Sequence, residues 1–250
     1  AGGKSRLGYW SADLRDDVVG KMIYQAMSRH DIGQFEVYCY SLSSQQDAWT
    51  ERFRACSHRF VSIVNLDAFS AANRIAEDNL DILVDLSTHT KGSLPAILAY
   101  KPARLQITHV ASAGAVGLDS IDFKLTDQYA DTTANQAYLL ERLLPMQGCV
   151  FPYRHIAPAS QHNYQRTKLG IKKNAIVLGA FVTLIKLSPR CLALWRRVLE
   201  ALPNAVLAFS PHNIETKASY LQRLKAAGIA ATRAVFIPPG KDEAHNQARY

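Results

Sequence analysis

The sequence predicts an α/β fold with two Rossmann-like lobes and parallel sheets, because short apolar runs alternate with helical stretches in two blocks. The run "LDILVDL" at 80–86 is nearly unbroken in its apolar character, which is typical of a strand covered on both faces. The stretch "GCVFPYRHIAPAS" at 148–160 contains two prolines and interrupts the alternation. We therefore expect an N-terminal lobe over 1–150, a linker over 151–162 and a C-terminal lobe from 163 to 250.

The first block is expected to hold six strands, which the apolar and β-branched runs place at 6–10, 35–40, 59–63, 80–86, 104–110 and 122–127. Helical spacing of apolar residues predicts helices at 18–29, 46–56 and 67–78. In the first helix the spacing runs from Val18 to Met27.

The second block is expected to hold three strands, at 175–181, 205–210 and 234–238, and helices at 162–169, 188–200 and 214–227. Ser188 and Pro189 fit the N-cap and first position of the middle helix, and Gly170 and Gly228 fit the ends of the other two. Since a doubly wound lobe commonly has five or six strands, the C-terminal lobe is expected to be incomplete at Tyr250.

Composition excludes several classes of protein. With 250 residues, 48% hydrophobic and 20% charged, the chain can bury a core and is not disordered. No apolar run approaches the roughly 20 residues of a membrane span, and no signal peptide is recognisable. The four cysteines are widely spaced, so neither a metal site nor a disulfide framework is expected, and a cytoplasmic location is favoured.

The formal net charge of +8 leaves three interpretations open. A basic cleft for a nucleotide diphosphate and a merely solvated basic surface explain it equally well. Nucleic-acid binding is not favoured, because the Lys and Arg residues are scattered and no nucleic-acid-binding motif occurs.

Ligands bind beyond the carboxyl ends of parallel strands, which directs attention to the loops at those ends. In "SADLRDD" (11–17), Asp17 is either a helix cap or a general base whose pKa would have to be raised. In "DLSTHTKGS" (85–93), His89, Thr90 and Gly92 form either a sugar-facing loop or a surface turn.

Two further loops are candidates. "HVASAGAVG" (109–117) is rich in small residues, but neither a dinucleotide fingerprint nor a Walker motif is present. In "FVTLIKLSP" (181–189), Lys186 precedes a well-capped helix, where a lysine can face a diphosphate or be an ordinary exposed cation.

Five collinear stretches together resemble the catalytic region of O-linked N-acetylglucosamine transferases and their bacterial TPR-containing relatives. They run from about residue 6 toward the C-terminus and are "RLGYWSADLRDDVVG", "FEVYCYSLS", "RIAEDNLDILVDLSTHTKG", "KPARLQITHVASAGAVGLDSIDFKLTDQYAD" and "FVTLIKLSPRCLALWRRVLEALPNAVL". The resemblance implies a GT-B glycosyltransferase that moves N-acetylglucosamine from UDP to Ser or Thr of a protein acceptor, with inversion and without a metal or cofactor. Some relatives use other sugars or modify asparagine.

The resemblance also assigns residues. Lys186 matches the family lysine that contacts the donor diphosphate, and Thr183 and Val182 stand near the nucleotide where members often have Gln and Asn. His89, Thr90 and Gly92 match the "HTxG" loop on the acceptor or sugar side.

Besides Val182 and Thr183, the chain departs from the family pattern at two further places. Asp17 aligns with a family histidine that several members need for activity. The segment "WLGYPGTTG" is replaced by "HVASAGAVG", which contains Gly114 and places His109 where the family has tryptophan. The predicted catalytic residues are Lys186, Asp17 and His89. An active transferase is favoured, and a decayed member that binds a nucleotide sugar or a protein is the alternative.

Overall fold

In the computed structural model, the described residues are 3–109, 114–152, 164–211, 216–240, 245–246 and 248–249. The chain divides into two compact units, Ala1–Arg154 and His155–Tyr250. Each unit is built around its own parallel sheet.

The first unit has a seven-stranded parallel sheet in the order β3-β2-β1-β4-β5-β6-β7. Its strands are β1 (Ser5–Ser11), β2 (Phe35–Ser41), β3 (Arg59–Ser62), β4 (Ile82–Asp85), β5 (Leu105–Thr108), β6 (Phe123–Asp127) and β7 (Arg142–Met146). Its α-helices are α1 (Val18–Met27), α2 (Ala48–Cys56), α3 (Ala68–Ala76) and the short α4 (Ala96–Ala99). The strand order reverses between β1 and β4, which makes this pair the topological switch point of the sheet.

Both faces of this sheet are covered, as the apolar strand sequences predict. Successive side chains of a strand point to opposite faces, and Tyr9 and Trp10 accordingly belong to separate buried clusters. Trp10 packs with Tyr40 in one cluster, whereas Tyr9 packs with Phe53 in the other.

The second unit has a three-stranded parallel sheet in the order β10-β9-β8. Its strands are β8 (Ile176–Gly179), β9 (Ala205–Phe209) and β10 (Ala234–Phe236), and its α-helices are α5 (Pro189–Ala201) and α6 (Lys217–Ala226). Residues of both helices and of β9 form one buried cluster around Phe209.

Helix caps follow the sequence closely. The side chains of Asp17, Asp47, Asp67 and Ser188 accept backbone N–H groups at the starts of α1, α2, α3 and α5. Gly228 follows α6 with a φ of 76°, the left-handed conformation expected of a residue that ends a helix.

Three elements differ from the prediction. Strand β7 was not predicted, because Pro145 lies within it; the strand is at the edge of the sheet, where a proline is tolerated. The short helix α4 was also not predicted. The helix predicted at 162–169 is wrong, since residues 166–170 form a turn. Most of the predicted linker, 151–162, lies outside the described residues. Within the described part of the chain, no helix is both long and apolar enough to cross a membrane.

Candidate functional site

A depression of about 610 Å³ lies at the switch point of the first sheet. Loops after β1, β2 and β4 line it, and the sequence predicted two of these as candidate loops for chemistry. The residues that line it include Asp13, Arg15, Asp17, Ser43, Gln45, Thr90 and Gly92. Asp17, Thr90 and Gly92, which the sequence analysis named separately, therefore line the same depression.

Asp85, at the end of β4, fixes the loop that carries Thr90 and Gly92. Its buried carboxylate accepts the backbone N–H of Ser87 at 2.8 Å, the N–H of Thr88 at 3.0 Å and the hydroxyl of Thr108 at 3.2 Å. Burial raises the pKa of Asp85 to about 6, and the hydrogen bonds oppose this rise. The loop is thus held by an interior acid rather than by surface contacts.

The loops after β1 and β4 are joined by two serines. The hydroxyls of Ser11 and Ser87 lie 3.0 Å apart, and both residues are fully buried. Ser87 Oγ also accepts the N–H of Ala12 at 3.3 Å, and Ser11 Oγ accepts the N–H of Asp13 at 2.9 Å. Hydrogen bonds between these two loops therefore hold one side of the depression together.

Asp17 has a definite local role. Its Oδ1 accepts the N–H of Val19 at 3.1 Å and caps α1, and its Oδ2 lies 3.5 Å from Arg15 Nη2. The capping interpretation is therefore observed in the structure. The carboxylate also lines the depression, so its role as a general base stays a prediction.

Asp13 is a candidate that the sequence analysis did not single out. Its side chain is only 10% exposed and lies 3.4 Å from Arg15 Nη2. Burial and the neighbouring Asp17 raise the pKa of Asp13, while Arg15 lowers it. A higher pKa makes a carboxylate a better proton acceptor near neutral pH. No feature of the sequence indicates this burial, which comes from the packing of the loops around Asp13.

His89 connects the loop after β4 to the loop after β5. Its Nε2 lies 2.8 Å from the carbonyl oxygen of Val116. Glu141, which is fully buried, accepts the N–H groups of Val116 and Gly117 at 2.9 and 2.8 Å. Gly114, in the same loop, is exposed. Residues 110–113 of the predicted small-residue loop lie outside the described part of the chain.

His109 lies apart from the depression. It is buried, and its Nε2 is 2.9 Å from the carbonyl oxygen of Val150. Burial lowers the pKa of this imidazole, so the neutral form is favoured. The structure thus gives His109 a contact within the first unit and does not bring it to Asp17 or Thr90.

In the second unit, Lys186 ends a 3₁₀ turn, Leu184–Lys186, that immediately precedes α5. Its side chain is exposed, its N–H donates to the carbonyl of Thr183 at 3.0 Å, and Ser188 caps the helix two residues later. A lysine beside the positive end of a 13-residue helix is suited to binding a phosphate group.

Two side chains of α6 donate hydrogen bonds to backbone carbonyls in and around the Leu184–Lys186 turn. Tyr220 donates its hydroxyl to the carbonyl of Val182 at 2.8 Å. Arg223 donates Nη1 to the carbonyls of Leu184 and Leu187 at 2.9 and 3.0 Å. Thr183 is exposed, and Val182 packs on the core of the unit.

The described residues contain no group of three or more His, Cys, Asp or Glu side chains placed to hold a metal ion. All four cysteines have free thiols.

The model of glycosyl transferase family 41 matches this chain over residues 1–158 and 155–249. The chain belongs to glycosyl transferase family 41. It is 27% identical over 239 residues to the probable UDP-N-acetylglucosamine–peptide N-acetylglucosaminyltransferase SPINDLY of Arabidopsis thaliana, an alignment that covers 93% of this chain and 26% of that protein. It is 25% identical over 210 residues to the similarly described SEC of the same plant, covering 81% of this chain and 21% of SEC.

A solved structure of an O-GlcNAc transferase mutant from Thermobaculum terrenum superposes with a TM-score of 0.84. The two sequences are 28% identical, and the superposition covers 96% of this family 41 chain and 45% of the Thermobaculum protein chain. The predicted fold class, an α/β GT-B glycosyltransferase with parallel Rossmann-like sheets, is confirmed. The predicted resemblance to the O-GlcNAc transferase family is also confirmed. The chain spans about a quarter of the length of the curated relatives it matches.

Proposed function

We propose that the protein containing this family 41 chain transfers a sugar, most simply N-acetylglucosamine, from a UDP donor to Ser or Thr of a protein acceptor. The observation that carries the proposal is the exposed Lys186 at the N-terminus of α5. Its position supports a donor site for a diphosphate. The SPINDLY and SEC relatives are described as UDP-N-acetylglucosamine–peptide N-acetylglucosaminyltransferases, which suggests the donor and the class of acceptor.

In the proposed reaction, the acceptor hydroxyl oxygen bonds to the anomeric carbon of the sugar. The bond from that carbon to the β-phosphate oxygen breaks, its electron pair leaves with UDP, and the configuration is inverted. Lys186 and the N-terminus of α5 stabilise the charge that develops on UDP, so we propose that no metal ion or cofactor is required. Thr183 and Val182 line the nucleotide side.

The first unit supplies the acceptor side in this proposal. The proton of the acceptor hydroxyl goes to a carboxylate of the depression, for which Asp13 and Asp17 are the candidates. Thr90 and Gly92 face the sugar or acceptor from the loop that His89 buttresses. Gly92 is exposed and has a φ of 86°, a conformation that favours glycine, so its backbone is accessible to a ligand. Gly114 and His109 are assigned to the same side on the resemblance alone.

The test is mass spectrometry of the full-length protein incubated with UDP-N-acetylglucosamine, other UDP-sugars and candidate acceptor proteins. Addition of one sugar to Ser or Thr, unaffected by EDTA, is expected. Transfer that stops with EDTA would contradict the metal-independent scheme. A UDP-sugar donor and four free thiols both suit a cytoplasmic protein, which we propose as its location.

A second function is favoured by Asp17, whose carboxylate caps α1 at the position of a family histidine. In that case the protein is a decayed member that binds a nucleotide sugar or a protein. Calorimetry with UDP-N-acetylglucosamine separates the two, because donor binding without any sugar transfer supports the binding module.

A further inference from the structure

The outer helices of the second unit carry a large excess of positive charge. Helices α5 and α6 together contain six Lys and Arg residues and one acidic residue, Glu200. All six cations are exposed: Arg190, Arg196, Arg197, Lys217, Arg223 and Lys225. In the sequence, residues 155–250 have 14 Lys and Arg against 4 Asp and Glu, whereas residues 1–154 have 15 against 17. One donor diphosphate accounts for only a small part of this excess.

A groove of about 530 Å³ lies between the same two helices. Apolar side chains of both helices line it, among them Leu192, Ala193 and Ala226, and so do two arginines, Arg196 and Arg223. Its volume is that of an ordinary ligand pocket. An apolar groove edged with guanidinium groups is complementary to a segment that carries apolar side chains and carboxylates.

Both arginines can form a new ion pair with a carboxylate of a partner. Arg196 pairs with Glu200 at 3.3 Å, but these side chains are 51% and 63% exposed, and such surface pairs contribute little to stability. Arg223 makes both of its bonds to the Lys186 turn through Nη1. A guanidinium has five N–H donors, so Arg223 can hold the turn and a carboxylate together.

We propose that the α5–α6 groove docks an acidic amphipathic segment of a partner protein. Apolar side chains of the segment enter the groove, and its carboxylates pair with Arg196 and Arg223. Helix α5, with 13 residues, is roughly 20 Å long, so it matches a partner helix of about three and a half turns. Six of the eight residues that line the groove belong to the two helices, and the other two, Leu187 and Ala227, lie next to them. Thr90, Asp17 and Lys186 are not among the lining residues.

The shape of the surface favours a protein segment over other anions. A nucleic acid presents phosphates on its outside and would contact the exposed cations without filling an apolar groove. A membrane surface would contact protruding side chains rather than a recess between two helices.

The experiment is selection of a random 12-residue peptide library on the full-length protein at physiological salt. The strongest selected peptide is then labelled, and its Kd is measured by fluorescence anisotropy. We expect selected sequences rich in Asp and Glu, with Leu, Ile, Phe or Met at helical spacing of three or four residues. Selected peptides that are basic, or that lack apolar anchors, would overturn the proposal.

Three variants locate the binding site. Ala193→Trp fills the groove, and Arg196→Glu reverses one of its charges. Each is expected to raise the Kd of the peptide by about tenfold or more. Arg197→Glu is the matched control, because it makes the same charge change at the next position of α5 outside the groove. This control should raise the Kd of the peptide by less than about threefold. Circular dichroism and UDP affinity, expected to be unchanged, show that each variant is folded.

Two results would contradict this site. Equal losses in Arg196→Glu and Arg197→Glu, with no loss in Ala193→Trp, would show diffuse charge attraction. A labelled single-stranded RNA oligonucleotide that competes with the peptide and loses affinity in Ala193→Trp would assign the groove to nucleic acid instead.

Discussion

The two units place opposite chemistry at the carboxyl ends of their sheets. In the first unit, the two candidate proton acceptors, Asp13 and Asp17, are acidic, and buried groups such as Asp85 and Ser87 hold the loops of the depression in place. In the second unit, the candidate residue is a cation, Lys186, whose side chain is exposed and whose backbone is held by α6.

In the proposed reaction, this difference gives the two units separate tasks. Orientation of an acceptor needs fixed groups, and the first unit supplies them through hydrogen bonds inside the protein. Stabilisation of a leaving diphosphate needs an accessible positive charge, and the second unit supplies it beside a helix N-terminus. Changes in the second unit should therefore affect the donor, and changes in the first should affect loop stability and acceptor use.

The largest effect is expected from Lys186→Ala. Loss of one charge contact to the leaving group should lower kcat by roughly 100-fold, about 3 kcal/mol of barrier. Steady-state UDP release by the full-length protein measures this change. Lys173→Ala removes an exposed lysine before β8 and is the control, with kcat unchanged. Equal activity of the two variants would place the donor site elsewhere.

Asp85 should make the stability of the first unit depend on pH. Its pKa is about 6 in the folded protein and about 3.9 in an unfolded chain. Because the folded state holds this proton more tightly, the free energy of unfolding should decrease as pH rises from about 4 to about 6, by at most about 3 kcal/mol.

Urea unfolding of the wild type and Asp85→Asn across this pH range isolates that effect. The variant lacks the titrating group, so the difference between the two proteins should change with pH. Parallel pH profiles would show that Asp85 does not titrate differently in the folded protein.

Arg223→Ala tests how the Lys186 turn is positioned. Two hydrogen bonds to the turn are lost, each contributing about 1 kcal/mol, so the affinity for UDP should fall by roughly 5- to 30-fold. Calorimetry with UDP measures it, and Lys225→Ala, on the same helix, is the control. An unchanged affinity in Arg223→Ala would mean that the turn keeps its position without α6.

The smallest effect is expected at Thr88, a β-branched residue with a φ of 46° and a buried hydroxyl without a partner among the described residues. Thr88→Gly should stabilise the first unit by about 1 kcal/mol, since glycine adopts this conformation without strain. Thr88→Val replaces the hydroxyl by a methyl group and keeps the β-branched side chain, so it separates the effect of the unpaired hydroxyl from that of the backbone strain. Chemical denaturation gives the free energy of unfolding of both variants. A loss of stability in Thr88→Gly would show that the backbone at Thr88 is not strained.

Sequence patterns predicted the strands of both units and several caps, because apolar periodicity and capping residues act over short distances. Ser188 and Asp17 are examples. Strand β7 was missed since its proline and exposed residues are not typical of a buried strand.

The site was harder to predict because it depends on contacts between distant residues. Glu141 binds the N–H groups of Val116 and Gly117 from 25 and 24 residues away, and no spacing in the sequence indicates this. Asp13 was missed because its distinction is burial, which depends on the packing of three loops. The sequence did place the loops of Asp17, Thr90 and Gly92 after predicted strands, and the carboxyl ends of parallel strands lie at one edge of a sheet. That these loops are neighbours depends on the strand order, which the sequence did not predict.

The most direct test of the proposed activity counts products in one reaction. The full-length protein is incubated with UDP-N-acetylglucosamine and a protein acceptor, and UDP and glycosylated Ser or Thr are quantified together by mass spectrometry. One UDP is expected for each sugar transferred, and both products should be nearly abolished in Lys186→Ala. Donor binding without either product, or UDP formed without a modified acceptor, would contradict the proposed activity.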